Sequence, residues 1–240
     1  MKIKISDEIF SKYGDVKVGV VKVEDFEITE EFKNLIEVKT KEAIDLFNEM
    51  ISGKEISEID SVKNWKNIYT KMGSPPSKIS SIENLYSLVN ERKTLPNINP
   101  IVDYYNAISC ISSIPMGAYD TRKIIGNLIL REARKGEEFA PMCLNQIEKT
   151  KNGEVIYADG EKVTCRYWNN KDSDKTKIDE TTNQVLFFFD VSPEISKEYI
   201  EQVIEEFINE LKETKVSDKI EYGIMDSNIS NIELWKIAKK

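Results

Sequence analysis

The sequence predicts an α/β fold of the α+β type, in which a mixed β-sheet is flanked by helices. Three observations lead to this prediction. Apolar residues recur at helical spacing through most of the first 114 residues, short apolar runs alternate with turns between residues 124 and 191, and a long amphipathic segment follows Ser192. With 240 residues, 40% of them hydrophobic, the chain can bury one large core, so we expect residues 1–240 to form a single domain.

The first half of the chain contains the patterns of one strand and four helices. Val16, Val18 and Val20 occupy alternate positions, as in a half-buried strand. A helix is predicted to begin at Thr29 and to stop at Gly53, with apolar residues at spacings of three and four between them. Three more helices are predicted in the segments SVKNWKNIYTKM, SSIENLYSLVN and IVDYYNAISCISSI.

In the second half, the pattern changes to short strands and turns. Strands are predicted in IIGNLILREARKGEEF, GEVIYADGEKVTCRYW and NQVLFFFDV. Ser192 and Pro193 are suited to cap and begin a long helix, in which apolar residues repeat every four positions from Ile195 to Leu211. KIEYGIMD predicts a last strand, and the tail SNISNIELWKIAKK predicts a short helix or an extended arm.

The composition excludes several kinds of chemistry. The chain has no histidine, which removes Ser-His-Asp triads, Cys-His pairs and HExxH zinc sites. The three cysteines, Cys110, Cys143 and Cys165, match no zinc spacing and are expected to be reduced thiols. We therefore expect no metal and no cofactor. Any catalysis must use carboxylates, hydroxyls, backbone amides, Tyr, Lys, Arg or the substrate itself.

No apolar run is long enough for a signal peptide or a membrane span, so we expect a soluble, cytoplasmic protein without a membrane partner. The net charge of −8 argues against a protein that coats nucleic acid non-specifically, and DNA is not expected as a partner. Residues 121–178 nevertheless carry twelve Lys or Arg against nine Asp or Glu. This local excess could hold a phosphate backbone, or it could be an ordinary solvated surface.

Two polar stretches, residues 95–126 and 153–183, are the candidates for a functional site. The first is a predicted helix that ends in a Pro-Met-Gly-Ala-Tyr-Asp turn, where Gly117 can bring backbone N–H groups close to a ligand and Asp120 can anchor the turn. The second is a strand pair followed by a loop dense in hydroxyls, amides and carboxylates between Asn169 and Thr182. Such a loop could hold an amino group, a ribose hydroxyl or a water, or it could only satisfy its own backbone.

The motifs in these stretches resemble the B3/B4 domain of the β-subunit of bacterial phenylalanyl-tRNA synthetase, its editing domain, and the free-standing B3/B4 proteins related to it. The matching segments are IVDYYN, PMGAYDTRKI, LREARKGEEF, VIYADGEKV and WNNKDSDKTKIDETTNQV, in the family's order. CRYWN and the upstream Trp65, Tyr69, Gly73 and Pro76 are similar to the free-standing branch. The resemblance covers residues 60–190 as a B3/B4-like core, between an N-terminal part (1–59) and a C-terminal helix and strand (191–240).

The resemblance implies a cleft between the turn after Ile114 and the loop after Trp168, in which the ester of a mischarged tRNA is hydrolysed. The partners would be a mischarged aminoacyl-tRNA and its amino-acid moiety. Where the synthetase often has His this chain has Gly117, so the accepted amino acid is expected to differ. By this resemblance, Asp172 matches the loop carboxylate of the family, and the pocket is matched by Pro115, Met116, Gly117, Ala118, Tyr157 and Asp159. As a hypothesis of positional catalysis, the catalytic residues are Asp172 with Asn169, Ser173 and Thr176 in support, and Asn106, Arg166 and Trp168 are further candidates for substrate binding.

Two of these residues have alternative roles. Arg166 could bind a phosphate through its guanidinium or form a structural ion pair with Asp159 or Asp120. Trp168 could stack on adenine or belong to the core. For the whole protein, the alternative to a trans-editing deacylase is a non-catalytic module that senses a free amino acid or a small amine-bearing metabolite, and a third class is a docking protein. A nucleotide-dependent enzyme is disfavoured, because no glycine cluster has the required spacing.

Overall fold

A computed structural model describes residues 1–142 and 146–234 of the chain. The helices are α1 (Asp7–Tyr13), α2 (Glu30–Met50), α3 (Asp60–Met72), α4 (Ser81–Arg92), α5 (Pro100–Ser112) and α6 (Lys197–Glu213), with short 3-10 turns at Ile56–Glu58 and Thr121–Lys123. The strands are β1 (Lys2–Ile5), β2 (Lys17–Glu24), β3 (Met116–Asp120), β4 (Leu128–Glu132), β5 (Glu138–Phe139), β6 (Glu148–Lys149), β7 (Val155–Ala158), β8 (Val163–Arg166), β9 (Lys171–Asp172), β10 (Gln184–Val191), β11 (Lys219–Met225) and β12 (Asn231–Glu233).

The strands form two main sheets. The larger one has the order β12-β1-β4-β7-β8-β9 and is mixed, because β1 pairs with β4 in parallel while its other pairs are antiparallel. The second sheet is antiparallel, in the order β11-β2-β10-β3. A separate hairpin pairs β5 with β6. The predicted α/β class is confirmed, and the mixed sheet is accompanied by a second, antiparallel one.

Two hydrophobic cores lie on opposite faces of the four-stranded sheet. Side chains of β3 and β10 alternate between them: Tyr119 and Phe188 join the core shared with the six-stranded sheet, while Ala118 and Phe187 join the core shared with α2, α5 and α6. Because β3 and β10 are buried on both faces, their sequences are apolar without a clean alternation.

Most of the predicted elements are present, and their ends follow from capping. The hydroxyl of Thr29 accepts a hydrogen bond from the N–H of Phe32 and so starts α2. The last long helix, however, begins later than predicted, because Ser196 and not Ser192 accepts the capping hydrogen bond, from the N–H of Tyr199. Its buried face also includes Ile200 and Ile204, beside the predicted four-residue repeat.

The predicted turn after Ile114 is a strand. Met116–Asp120 pairs with β10 along its whole length, from Met116 opposite Phe189 to Asp120 opposite Val185. The tail contributes β12, which pairs with β1, and its remaining residues 235–240 lie outside the described residues. Within the described ranges, none of the helices combines the length and the apolar character needed to cross a membrane.

Candidate functional site

The candidate site is a cleft of about 290 Å³ between the two sheets, open beside α4 and α5. Its polar end is formed by Tyr157, Asn169, Asp172 and Asp190. Its other walls are mostly apolar and include Leu85, Leu88, Ile98, Val102, Tyr105, Met116, Gly117, Ala118, Ile178 and Phe188. A volume at the lower end of the ~300–1,000 Å³ usual for ligand pockets suits a ligand as small as an amino acid.

Asp190 lies at the buried end of the cleft, on β10. The hydroxyl of Tyr157 donates to one carboxylate oxygen, and the side-chain amide of Asn169 donates to the other at 3.3 Å. The side chain is almost fully covered, and burial raises the pKa of Asp190 to about 7 despite these donors. The nearby charge of Asp172 also raises this pKa, so the two carboxylates affect each other's ionisation.

Asp172 lines the same cleft from β9, in the other sheet. It is only partly covered because the cleft opens beside it, yet the surrounding protein raises its pKa to about 6. Interactions with the Cys165 thiol and the Tyr119 hydroxyl oppose this rise. Both of these partners are neutral, as are the groups that hydrogen-bond to Asp190. The cleft therefore holds two carboxylates whose pKa values lie near neutrality.

The loop that carries Asn169 into the cleft is held in an unusual conformation. Tyr167 and Trp168 have φ of 50° and 65°, which is uncommon for side chains of this size. The hydroxyl of Tyr69 fixes this bend, since it lies 2.6 Å from the Tyr167 carbonyl and 3.2 Å from the side-chain oxygen of Asn169. Trp65 packs edge-on against Trp168, with ring centroids 5.3 Å apart. The Trp65 and Tyr69 motif is thus a buttress for the CRYWN loop.

Trp168 belongs to the core and also lines the cleft. Its indole N–H lies near Asp190 and helps to oppose the rise of that pKa. At hydrogen-bond geometry, however, the indole nitrogen has no partner within the described part of the chain. Trp168 thus has the core position that was one of its two predicted alternatives. Its N–H donor remains unpaired beside Asp190.

Strand β3 forms the opposite wall of the cleft and is an edge strand. The N–H of Asp190 donates to the carbonyl of Pro115, which sets the alternation of hydrogen bonds along the pair. The peptide groups of Gly117 therefore face β10, whereas the N–H groups of Met116 and Ala118 point away from it. A Cβ at Gly117 would meet no atom within 4 Å, so the absent side chain leaves open space in the cleft.

The structure thus brings together residues from the two predicted stretches. Met116, Gly117 and Ala118 line the same cleft as Asn169 and Asp172, and Asn106, Tyr157 and Trp168 line it too. Pro115 does not line the cleft, and its role is to accept the hydrogen bond from β10.

Ser173 and Thr176 lie beside the cleft and do not line it. The Ser173 hydroxyl donates to the Ala140 carbonyl and accepts the N–H of Lys175, so it stabilises its own loop. Thr176 is fully buried, and its carbonyl accepts the N–H of Asp120 at the edge of β3. Side chains on a strand-like segment alternate in direction, which turns Ser173 away from the surface that Asp172 faces.

Asp159 lies in a hairpin turn outside the cleft. Its carboxylate accepts hydrogen bonds from the backbone of Ile125, Glu161 and Lys162 and from the Lys162 ammonium at 2.7 Å. These donors hold the pKa of Asp159 below its usual value although burial opposes them. Asp159 is therefore engaged in fixing the turn between β7 and β8.

Arg166 also points away from the cleft. Its guanidinium forms a bidentate pair with the buried Glu154, at 2.6 and 2.8 Å, and contacts Glu148 at 2.8 Å. The structural ion pair foreseen for Arg166 exists, but its partners are these glutamates and not Asp159 or Asp120. Asp120 instead pairs with Arg122.

Asp190 is an acidic cleft residue that the sequence motifs do not single out. It ends the run VLFFFD, which predicts a buried strand, and a carboxylate in such a run has to be paired or placed in a cavity. Among the thiols, Cys110 and Cys165 are free and buried, while Cys143 lies outside the described residues. The described ranges contain no group of three or more carboxylate or thiol side chains placed to hold a metal ion.

Comparison with known proteins supports the resemblance found in the motifs. A family model described as the B3/4 domain matches residues 64–229, a range that contains every cleft residue named above. The sequence is 41% identical over 67 residues to the phenylalanine–tRNA ligase beta subunit of Fusobacterium nucleatum subsp. nucleatum, a stretch that covers 28% of this chain and 8% of that relative.

Among solved structures, an N-terminal fragment of the phenylalanyl-tRNA synthetase beta-subunit from Pyrococcus horikoshii aligns with 94% of this chain and 53% of its own length, at 9% identity and a TM-score of 0.46. The chain thus spans about half of that fragment and a small part of the Fusobacterium subunit. Because the family model matches well over half of the chain, this protein belongs to the B3/4-domain family.

Proposed function

We propose that this B3/4-domain protein is a trans-editing deacylase that hydrolyses the ester bond of a mischarged aminoacyl-tRNA. The observation that carries the proposal is the cleft itself, in which Asp172 and Asn169 face the β3 wall across an amino-acid-sized space. A tRNA with its amino-acid moiety would be the partner, and the cytoplasm, where tRNA is charged, would be the compartment.

The reaction requires a water, a way to move its proton and donors for the developing oxyanion. Water adds to the ester carbonyl carbon, and the bond from that carbon to the ribose oxygen breaks. The ribose oxygen leaves with the proton that the water gives up, passed through the neighbouring hydroxyl of the terminal ribose. The chain's part is positional: Asp172 and Asn169 orient the polar groups, and the outward N–H groups of Met116 and Ala118 are the candidate oxyanion donors.

The first prediction concerns Asp172. Asp172→Asn removes the charge and keeps the shape, so we expect deacylation to fall by about a hundredfold or more, the scale of a lost positioned acid–base or charged group. The measurement is release of labelled amino acid from a panel of mischarged tRNAs. Glu180→Gln is the matched control, because Glu180 lies on the same loop, is exposed and does not line the cleft.

Two outcomes would contradict the proposal. If no mischarged tRNA in the panel is hydrolysed faster than in buffer, the protein is not a deacylase for those substrates. If Asp172→Asn retains the turnover of Glu180→Gln, Asp172 has no part in the reaction.

One observation favours the alternative of a non-catalytic amino-acid sensor. Cations near the site are already paired: Arg166 with Glu154, Lys171 with Glu148 and Lys177 with Asp174. Paired cations are less able to bind a phosphate backbone. A thermal shift with free amino acids but none with aminoacyl-tRNA would favour the sensor.

A further inference from the structure

We propose that Asp172 and Asp190 together bind one primary ammonium group of a ligand. Binding of the ammonium group expels a proton from the two carboxyl groups. The cleft therefore accepts only ligands with a free amine. The proposal rests on the proposed function for its substrate, because the amine of an aminoacyl ester is then the ligand group. It assigns a specificity role to Asp190, which the sequence did not single out.

The first support is the position of the two carboxylates. They reach one cavity from the two sheets, Asp172 from β9 and Asp190 from β10, and the protein groups that hydrogen-bond to them are neutral. Buried carboxylates are normally paired with a cation or protonated. A cleft that holds the buried Asp190 and the partly covered Asp172, with only neutral groups hydrogen-bonded to them, suits a ligand that brings the positive charge.

The second support is the unpaired indole N–H of Trp168. Trp168 is 1% exposed, lines the cleft, and its nitrogen has no hydrogen-bond partner among the described residues. A buried donor without an acceptor at hydrogen-bond geometry is costly. In an aminoacyl group the carbonyl carbon is bonded to the carbon that bears the amine. The carbonyl oxygen can therefore accept the indole N–H while the ammonium group contacts the carboxylates.

The other ionisable groups around the pair do not change this assignment. Tyr119, Tyr157 and Cys165 have pKa values raised well above the ordinary ones by burial, so they are neutral near pH 7. Burial likewise raises the pKa of Tyr105. Lys177 lines the cleft, and its ammonium is 2.7 Å from Asp174.

The proton count follows from the carboxylates. With pKa values of about 6 for Asp172 and about 7 for Asp190, the empty pair holds at least one proton at pH 6. An ammonium between them favours the charged forms and lowers both pKa values. Binding at pH 6, where the free amine is already protonated, should therefore release on the order of one proton. At pH 8.5 the empty pair is already ionised and a free α-amine, with a pKa of about 7.7–8.0, is largely neutral, so binding as an ammonium should take up a proton instead.

The test uses amides of the apolar amino acids as probes, because they have a free amine and a carbonyl but are not esters. Calorimetric titration at pH 6 in buffers of different ionisation enthalpy counts the protons released. We expect release of on the order of one proton for the amide that binds best, and no detectable binding of its N-acetyl derivative.

Variants then assign the groups. We expect Asp190→Asn to weaken amide binding at least tenfold and to reduce the proton release by half or more. Asp103→Asn is the control, because Asp103 also has a raised pKa but lies outside the cleft. Trp168→Phe should weaken binding of the amide but not of the matching alkylamine without a carbonyl.

Failure of this inference is distinguishable from failure of the proposed function. Amide binding with proton release, but without hydrolysis of any mischarged tRNA, would support the ammonium site and contradict the proposed deacylase activity. Hydrolysis of mischarged tRNA with equal turnover of N-acetylated aminoacyl-tRNA, or with an unaltered Asp190→Asn variant, would overturn the ammonium site alone. Absence of amide binding at millimolar concentration would overturn it as well.

Discussion

At the scale of single residues, the cleft carboxylates differ from the other buried acids of the chain in the charge of their partners. Asp120 and Asp159 are fully buried at the side chain, but each meets a cation and backbone N–H groups, and both have pKa values below the ordinary one. Asp172 and Asp190 meet neutral donors, and burial raises their pKa values. Raised pKa values in a cavity are a common feature of functional sites.

The charge of its partners also explains why Arg166, a predicted substrate-binding residue, points away from the cleft. A guanidinium enclosed by Glu154 and Glu148 cannot also reach a phosphate without leaving the buried Glu154 carboxylate without a cation. The sequence shows that an arginine follows Cys165, but it does not show which face of β8 the side chain occupies. That choice depends on strand register, which is fixed by pairing with β7 and β9.

Truncation of Arg166 should therefore reduce stability. We expect Arg166→Ala to lower the free energy of unfolding by about 3–5 kcal/mol, because it leaves the buried Glu154 carboxylate without its partner. Urea denaturation measures this loss. The double variant Arg166→Met, Glu154→Leu, which removes both charges and keeps the volume, should recover much of it. A role in tRNA binding instead would give a stable Arg166→Ala protein with weakened substrate affinity.

At the scale of elements, the helices around the site can be predicted from the sequence, whereas strand β3 cannot. The helices α2 and α5 were predictable because Thr29 and Asn99 are good capping residues and the apolar spacing is helical. Strand β3 was missed because both of its faces are buried and a Pro and a Gly stand at its start. Its pairing with β10 is a long-range contact, and propensity does not report it.

The loop from Tyr167 to Asn169 shows a further limit of the sequence. Two consecutive residues with left-handed φ are not expected from the letters Tyr and Trp. The conformation is held by Tyr69 and Trp65, about a hundred residues upstream. The spaced motif in α3 is visible in the sequence, but its contact with this loop is long-range and cannot be read from the spacing.

Two glycines in the strands on either side of β10 allow a matched prediction. At Gly19 on β2, an added Cβ would lie 2.6 Å from Cδ1 of Ile204 and 3.3 Å from Cβ of Phe189. Gly19→Ala should therefore destabilise the protein by about 1–3 kcal/mol, and Ile204→Val should relieve part of the clash. Ile204→Val deletes the Cδ1 methyl group, the atom nearest to the added Cβ. The double variant therefore tests whether this clash causes the loss of stability.

At Gly117 on β3, the added methyl group would enter only the cleft. Gly117→Ala should leave stability unchanged or raise it by about 0.5 kcal/mol, since alanine is less flexible than glycine in a strand. It should lower kcat/KM for the largest accepted amino acid more than for the smallest. Thermal denaturation and the deacylation panel check the two effects, and a Gly117→Ala protein that loses stability as Gly19→Ala does would show that the space is not open.

At the scale of the whole molecule, the cleft lies where the two sheets share one core, with the second core supporting β3 and β10 from behind. The presence of a cleft between the stretches 95–126 and 153–183 was predictable from their motifs. The partner of Asp172 was not, because Asp190 comes from a strand whose sequence indicates only burial. The fold places a polar end inside a hydrophobic core, and the cost of that arrangement should be measurable in the stability of the protein.

The last prediction is the direction of that pH dependence. For Asp172 and Asp190 the folded-state pKa values, about 6 and about 7, lie above the unfolded value near 4. Between these values the folded state binds more protons than the unfolded state, so the free energy of unfolding falls as the pH rises from 5 to 8. The paired acids Asp120, Asp159 and Asp179 have lowered pKa values, and their contribution to stability is complete above about pH 5 and is lost only on acidification.

Urea denaturation from pH 5 to 8 should show a falling free energy of unfolding in the wild type and a shallower fall in Asp190→Asn, because asparagine does not titrate. An Asp190→Asn protein with the wild-type slope, or a wild type that gains stability over this range, would show that Asp190 is not held at a raised pKa and would leave the ammonium site without its proton.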